Sequence, residues 1–307
     1  CNRGLLGPLA EFRRAVARPI ERFRDPHVAT RLRRLVEPFV LRRLKSDPDV
    51  APDLPDKVEA TVACSLSSAQ IKLYRKAIKD TWKDIKGQTG IERAGKVLAL
   101  LTALKQICNH PSHFLKKATV RAAQSGKLAR LGEMLEEVVD AGDRVLLFTQ
   151  YVEMGKLLVK HLQSTFGFEV PFLHGGVPAR TRDAMVQRFQ EDADAPPVFL
   201  LSLKAGGTGL NLTRASHVFH YDHWWNPAVE SQATDRAHRI GQTRTVYVHR
   251  LVSLGTLEEK IAVMLEQKKG LANLAYGDGE AWLTQLDDDQ LHSLVELSDN
   301  AVEEEDA

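Results

Sequence analysis

Between Gln232 and Arg244 the chain reads QATDRAHRIGQTR, with Gln232, Arg236 and Arg239 spaced four and three residues apart. On an α-helix this spacing puts the three side chains on one stripe. Two guanidiniums beside an amide form a grip for a polyanion, phosphoryl oxygens above all. Ala233, Ala237 and Ile240 fall with Val229 on the adjacent stripe. Such small apolar residues let a helix lie close against a sheet, with the arginines projecting from its edge. Asn226 and Pro227 read as N-cap and first-turn residues, and Gly241 as the stop, so the spacing predicts a helix over Pro227–Ile240. A solvated basic helix face would share this pattern, so its meaning depends on what else the fold brings beside it.

A second feature is SLKAGGTGLNL, Ser202 to Leu212, where Gly206, Gly207 and Gly209 follow an apolar run and lead into a helical turn. Glycines there let backbone N–H groups approach phosphate or ribose oxygens. A plain strand-to-helix turn would also use them. Two other apolar runs end in polar or small residues: Thr149 and Gln150, then His174, Gly175 and Gly176. In open α/β sheets ligands collect at the carboxyl ends of strands. Three such ends plus the arginine helix therefore predict one shared site. Trp224 and Trp225, beside Asn226, are either core residues or, if exposed, surfaces for stacking on a base or entering a groove.

Other motifs carry less. GIERAGKV, Gly90 to Val97, imitates a phosphate loop, but Val97 stands where magnesium would need a hydroxyl and no apolar strand precedes Gly90. No acidic DE pair follows a strand. The chain thus has arginines suited to a transferring phosphate without the lysine loop and carboxylate that would complete hydrolysis. Cys108, His110 and His113 are too few for a metal site, and Pro111 favours capping and packing. Strand alternation sends His220 to the face opposite His217 and His223.

The elements that must position these residues follow from periodicity. From Gly126 onward, apolar runs at Val145–Gln150, Val170–His174, Val198–Leu203, His217–Tyr221 and Val246–Leu251 alternate with amphipathic helices at Val152–Thr165, Ala179–Gln190, Pro227–Ile240 and Leu257–Lys268. That is a doubly wound α/β lobe on a parallel sheet. Thr256 and Glu259 form a capping box for the last helix. The N-terminal third predicts arginine-studded helices broken at Pro19, Pro26 and Pro38, then a strand at Val58–Cys64. Ser67 and Gln70 open a capped helix toward Lys86, and another follows over Lys96–Ile107. This helical subdomain has no complete core of its own. The organisation expected is 1–57 helical protrusion and linker, 58–125 strand plus helical insertion, 126–276 α/β lobe and 277–307 acidic tail, with a short helix at Asp289–Glu296.

At 307 residues, 43% apolar and 27% charged, the composition is that of a globular protein. No apolar run is long enough to span a membrane and the N-terminus lacks a signal-peptide core, which predicts a cytoplasmic protein, nucleoid-associated if bacterial. Cys1, Cys64 and Cys108 are odd in number and widely spaced, which argues against a disulfide framework. The chain starts at Cys1 and reads as a piece of a longer protein. A net charge of +2 hides segregation: arginines crowd residues Arg13 to Arg43, while no Lys or Arg occurs beyond Gly277. Such asymmetry suits nucleic-acid contact with an acidic tail.

These residues resemble the C-terminal half of a Swi/Snf-type DNA-dependent ATPase of helicase superfamily two, particularly its bacterial members. VLLFTQY resembles motif four, FLHGG the following box, FLLSLKAGGTGLNLTRA motif five, and DHWWNPAVESQATDRAHRIGQTR the tryptophan box and motif six. FVLRRLKSD, LPDKVEA, ICNHP, SGKL and WLTQLDDDQLHSLVELS also resemble the family, and nearly the whole chain is covered. The first RecA-like lobe, with its phosphate loop and DE-type motif, is what the chain lacks.

The resemblance implies a RecA-like lobe of a two-lobed motor, with ATP and Mg²⁺ bound mainly by the other lobe and double-stranded DNA lying across both. It makes Arg236 and Arg239 arginine fingers, with Gln232 orienting their helix. Gly207, Gly209 and Asn211 would border the ATP, while Thr149, Gly175, Gly176, Ser202, Lys204 and Trp225 would touch DNA. The expected partners are duplex DNA, the first lobe and a DNA-bound protein such as RNA polymerase, and the expected activity is ATP-dependent translocation without strand separation. A stand-alone DNA-binding or regulatory module that never hydrolyses ATP is the alternative. A nucleotide-sugar transferase with a similar sheet is weak, because no metal-binding acidic pair is visible.

Overall fold

The computed structural model describes residues 6–23, 25–39, 54–205, 209–267, 281–298 and 301. The chain divides into two units, Cys1–Pro52 and Asp53–Ala307.

In the first unit, α1 (Leu9–Phe12) passes through a π-helical turn at Arg13–Ala17 into α2 (Arg18–Phe23), and α3 (Pro26–Val36) ends in a 3₁₀ turn at Glu37–Phe39. Pro19 was expected to break this helix and does not. The widened turn, in which Arg18 N–H donates to Arg13 O, accommodates a proline that cannot donate to the fourth residue back. Asp25 caps α3 through the N–H groups of His27 at 2.9 Å and Val28 at 3.2 Å, and Pro26 is its first residue.

The second unit runs β1 (Lys57–Cys64), α4 (Ser68–Ile85), α5 (Gly90–Asn109), α6 (Pro111–Phe114), α7 (Gly126–Asp140), β2 (Val145–Thr149), α8 (Val152–Phe166), β3 (Phe172–Leu173), α9 (Ala179–Glu191), β4 (Val198–Ser202), β5 (His217–His220), α10 (Pro227–Thr234), β6 (Val246–Ser253), α11 (Leu257–Gln267) and α12 (Asp288–Val295). The six strands form one parallel sheet in the order β1-β6-β5-β2-β4-β3. Strand alternation sorts the core as expected. Val145 and Leu147 face α7 and α8, whereas Leu146 and Phe148 face α9 and α10. β1 pairs with β6 from Lys57↔Val246 to Cys64↔Ser253, so a strand contributed by the N-terminal third is an edge of the α/β lobe's own sheet.

A third core lies among α4, α5, α11 and α12, built on Tyr74, Leu100, Leu104, Ile261, Leu291 and Val295. The helical region was expected to lack a complete core. Its missing apolar face comes from the acidic C-terminal segment, where Leu283, Leu291, Leu294 and Val295 are buried. Arg93 ties that segment down by donating to Thr284 O, Leu286 O and Asp288 Oδ1 at 2.8–3.2 Å. Helix α5 begins at Gly90, so GIERAGK forms its first two turns and is no phosphate loop. The Ser67–Gln70 capping box is present. At α11, Thr256 Oγ1 accepts Glu258 N–H, while Glu259 takes Gly255 N–H.

Candidate nucleotide and nucleic-acid site

The carboxyl ends of β2, β4 and β5 meet along one rim, and Gly175 and Gly176 follow β3, the neighbour of β4. Helix α10 starts as expected, with Asn226 Oδ1 accepting Ala228 N–H at 2.9 Å and Pro227 following. It ends at Thr234, six residues short of Ile240. Carbonyls that a continuing helix would use are captured elsewhere: Arg236 O by Leu212 N–H at 2.9 Å, and Ala237 O by Gln242 Nε2 at 3.1 Å. Gly241 then turns the chain at φ +99°.

This early stop breaks the expected stripe. Gln232 and Arg239 are exposed, but Arg236 is only 5% exposed. Its Nε and Nη1 have no hydrogen-bond partner among the described residues. Burial pushes its pKa down to about 10. Arg239 instead lies over the glycine-rich loop, Nη1 donating to Gly209 O at 3.1 Å and to Leu210 O at 3.5 Å. Ala233 and Ala237 pack against the sheet as expected, whereas Ile240 is 77% exposed because the helix that would have turned it inward has ended.

Gly209, at φ +52°, and Asn211 are exposed on the loop beside the arginines. Gly206 and Gly207 lie outside the described residues. The predicted DNA contacts divide in two. Gly175, Gly176 and Lys204 are exposed, Lys204 Nζ standing 5.2 Å from the centre of the Trp224 ring. Thr149, Ser202 and Trp225 are buried. The Thr149 hydroxyl donates to Asp222 Oδ2 at 2.6 Å and accepts Tyr151 N–H at 3.3 Å, leaving no donor for a phosphate. Ser202 Oγ accepts Ala205 N–H at 3.3 Å. Trp225 belongs to the helical core, its ring covered by Lys105 Nζ at 4.0 Å. The side chains of Thr149 and Trp225 thus hold the rim from beneath.

Other groups that build the rim were not anticipated. Asp222, fully buried, accepts Gln150 N–H at 2.8 Å and Asn109 Nδ2 at 3.0 Å in addition to Thr149. Burial raises its pKa against the lowering effect of these donors. Lys105 donates to His223 O. Lys127, the lysine of SGKL, donates to Tyr221 O at 3.1 Å and pairs with Glu258 at 2.7 Å. Glu230 accepts Trp224 N–H at 2.8 Å and contacts His223 Nδ1 at 3.1 Å and Arg250 Nε at 3.4 Å. Burial alone would raise the Glu230 pKa, but His223 and the donated hydrogen bonds bring it down to about 2. The sequence signal for Asp222 was an aspartate directly after an apolar strand. A lone buried lysine has no such signal.

His110, His217 and His220 act structurally. His110 Nδ1 accepts Ser112 N–H at 2.9 Å, capping α6. His220 stacks on Phe148 and bonds Thr234 Oγ1 on the α10 face, while His217 stacks with His249. Among the described residues no group of His, Cys, Asp or Glu is placed to hold a metal ion. No described helix is long and apolar enough to cross a membrane.

Two family models match successive parts of the chain. The SNF2-related domain matches residues 2–113 and the helicase conserved C-terminal domain residues 126–241. The Sulfolobus solfataricus SWI2/SNF2 ATPase C-terminal domain is 39% identical and superposes with a TM-score of 0.69, over 79% of this chain and 100% of that one. The chain belongs to the SNF2 family. The ATPase core of the same archaeal protein, solved in complex with dsDNA, is 41% identical with a TM-score of 0.72, over 97% of this chain and 62% of that one. A putative ATP-dependent helicase/translocase of Bacillus subtilis, YwqA, is 45% identical over 302 residues, 98% of this chain and 32% of its own length. An uncharacterized ATP-dependent helicase of Mycoplasma pneumoniae is 34% identical over 84% of this chain and 24% of its own length. The chain therefore spans a quarter to a third of these two relatives.

Proposed function

We propose that this chain is the second motor lobe of an ATP-dependent double-stranded DNA translocase, presenting Arg236 and Arg239 to phosphates held by a first RecA-like lobe. The observation that carries this reading is the buried Arg236 guanidinium, whose Nε and Nη1 find no hydrogen-bond partner among the described residues. A buried cation without a partner costs several kcal/mol, so the arrangement suits an anion arriving from outside the chain. A module that only binds DNA has no use for such a group beneath its surface.

ATP fits this donor set, and its γ-phosphoryl would supply the transferring group. Magnesium would be held by the other lobe. Arg236 would receive phosphoryl oxygens in a low-dielectric setting where charge stabilisation is strong. Arg239 would leave the Gly209 and Leu210 carbonyls to join it, and Gln232 would orient α10. Gly207, Gly209 and Asn211 would border the nucleotide. On the neighbouring rim, Lys204, Gly175 and Gly176 would meet the DNA backbone, positioned by Thr149, Ser202 and Trp225 beneath. Backbone contacts of this sort position a protein without reading sequence.

Mixing this chain with a separately expressed first lobe tests the reading. Restored DNA-dependent ATP hydrolysis is expected. Measurable association of the two polypeptides without hydrolysis would favour the binding module instead.

A further inference from the structure

A cavity of about 690 Å³ opens between the loop after α6 and the outer face of α8. Its size falls in the range of ligand pockets. None of the rim residues discussed above lines it. Lys156 and Lys160, one turn apart on α8, form one wall, and Lys116 and Lys117 on the loop form the other. One carboxylate answers these four ammonium groups: Glu153, paired with Lys156 at 2.8 Å.

The loop that carries Lys116 and Lys117 is held in place. Ser112 Oγ donates to Thr119 O at 2.6 Å, and Lys117 N–H to Ser112 O at 2.9 Å. Lys116 has φ +53°, the one non-glycine with positive φ among the described residues. Such a conformation is costly for a side chain with a Cβ, and its retention often marks a functional position. His113, 6% exposed, also lines the cavity, and its shielded Nδ1 has no hydrogen-bond partner among the described residues. Burial pushes its pKa down to about 4, so the ring is neutral at physiological pH and can carry a proton on Nδ1. Tyr151 packs edge-on against it with ring centres 4.8 Å apart. Leu157 and Phe172 supply apolar wall, where ion pairs formed with a ligand are less screened.

We propose that this cavity binds a phosphate group, with the loop and α8 lysines meeting its charge and His113 Nδ1–H donating to one oxygen. Two sources share that chemistry: a free nucleotide, and the backbone of a nucleic-acid strand running past the rim along α8.

The test is NMR of the 307-residue chain with ¹⁵N-labelled histidine, titrated separately with ADP, inorganic phosphate and a 30-base-pair duplex. The His113 ring signals are expected to shift saturably. Movement with ADP or inorganic phosphate identifies the free source, and movement with duplex alone identifies the strand. The Lys117→Gln/Lys160→Gln variant changes two exposed side chains and should weaken whichever ligand binds by roughly tenfold or more. For duplex it should lower the salt exponent of binding by about 2, since each phosphate contact contributes about 0.9. A His113 signal unmoved by all three probes overturns the proposal, as does a variant whose affinities and salt exponent match the parent. Lys204→Gln tests the rim separately: a change there with none in the double variant leaves the rim standing and removes the cavity.

Discussion

Glu230 Oε1 accepts the backbone N–H of Trp224 at 2.8 Å, which fastens the loop after β5 to the first turn of α10. The same carboxylate meets Arg250, whose Nη1 reaches Glu59 Oε2 at 2.8 Å on the edge strand. The loop with Trp224 and Lys204 beside it and the helix leading to Arg236 are thus held by one buried group. Glu230→Ala should lower the stimulation of ATP hydrolysis by DNA more than it lowers unstimulated hydrolysis, with Glu230→Gln intermediate because it keeps the acceptor for Trp224 N–H. Steady-state ATPase assays with and without duplex, on a polypeptide carrying both lobes, measure this. An unchanged stimulation ratio would show that the contact transmits nothing.

Lys127 and Glu258 are 0% and 1% exposed and pair at 2.7 Å. Removing one partner strands a buried charge, so Lys127→Ala or Glu258→Ala should destabilise the fold by roughly 3–5 kcal/mol. Lys127→Met/Glu258→Leu should recover part of that loss, because no charge is then stranded although Tyr221 O and Ser253 N–H lose their partners. Denaturant unfolding of the three variants gives the comparison.

Gly126 leads α7, and a Cβ built there would lie 1.9 Å from Ser65 O. A backbone oxygen cannot rotate away as a side chain can. Gly126→Ala should therefore cost on the order of 2 kcal/mol or more, as overpacking does. By contrast Gly132, with nothing near its Cβ position, should accept alanine and gain from the better helix former. A pair of thermal melts decides it.

His113 and His220 are buried neutral, each with its pKa pushed down to about 4. An unfolded chain binds their protons at higher pH, near 6.5. Their contribution is therefore complete above about pH 6.5 and declines as pH falls toward 4, by roughly 2–3 kcal/mol per pH unit in the middle of that window. Urea midpoints measured between pH 7 and pH 4 should fall accordingly. His220→Gln, which can still meet Thr234, should remove only its own share of the slope, because His249 is also pushed down to about 4.

The sheet was legible because β2, β4 and β5 are short apolar runs bounded by turn residues, and their alternation needs no tertiary information. So were the caps at Ser67 and Asn226, since both act within four residues. The end of α10 was not. Propensity over residues 235–240 favours continuation, but after Thr234 the Arg236 and Ala237 N–H groups donate three residues back, and the Arg236 carbonyl is taken by Leu212, twenty-four positions away in sequence. The same event decided the site: periodicity put Arg236 and Arg239 on a shared exposed edge, whereas the turn buries the first and lays the second over Gly209. Trp225 and Thr149 went inward because Lys105 and Asp222, distant or unremarkable in sequence, cover them. The core of the helical region was hidden for a similar reason, its closing face being supplied by residues 283–295 beyond a charged stretch.

Arg236 is held out of solvent, and in the function proposed above it receives a phosphate that another lobe presents. Single-turnover ATP hydrolysis by a two-lobed polypeptide, comparing Arg236→Ala with its parent at saturating duplex, tests it most directly. A loss of about 10³-fold or more is expected, with no rescue by Arg236→Lys and with duplex affinity close to the parent's. Hydrolysis within a few-fold of the parent would contradict it.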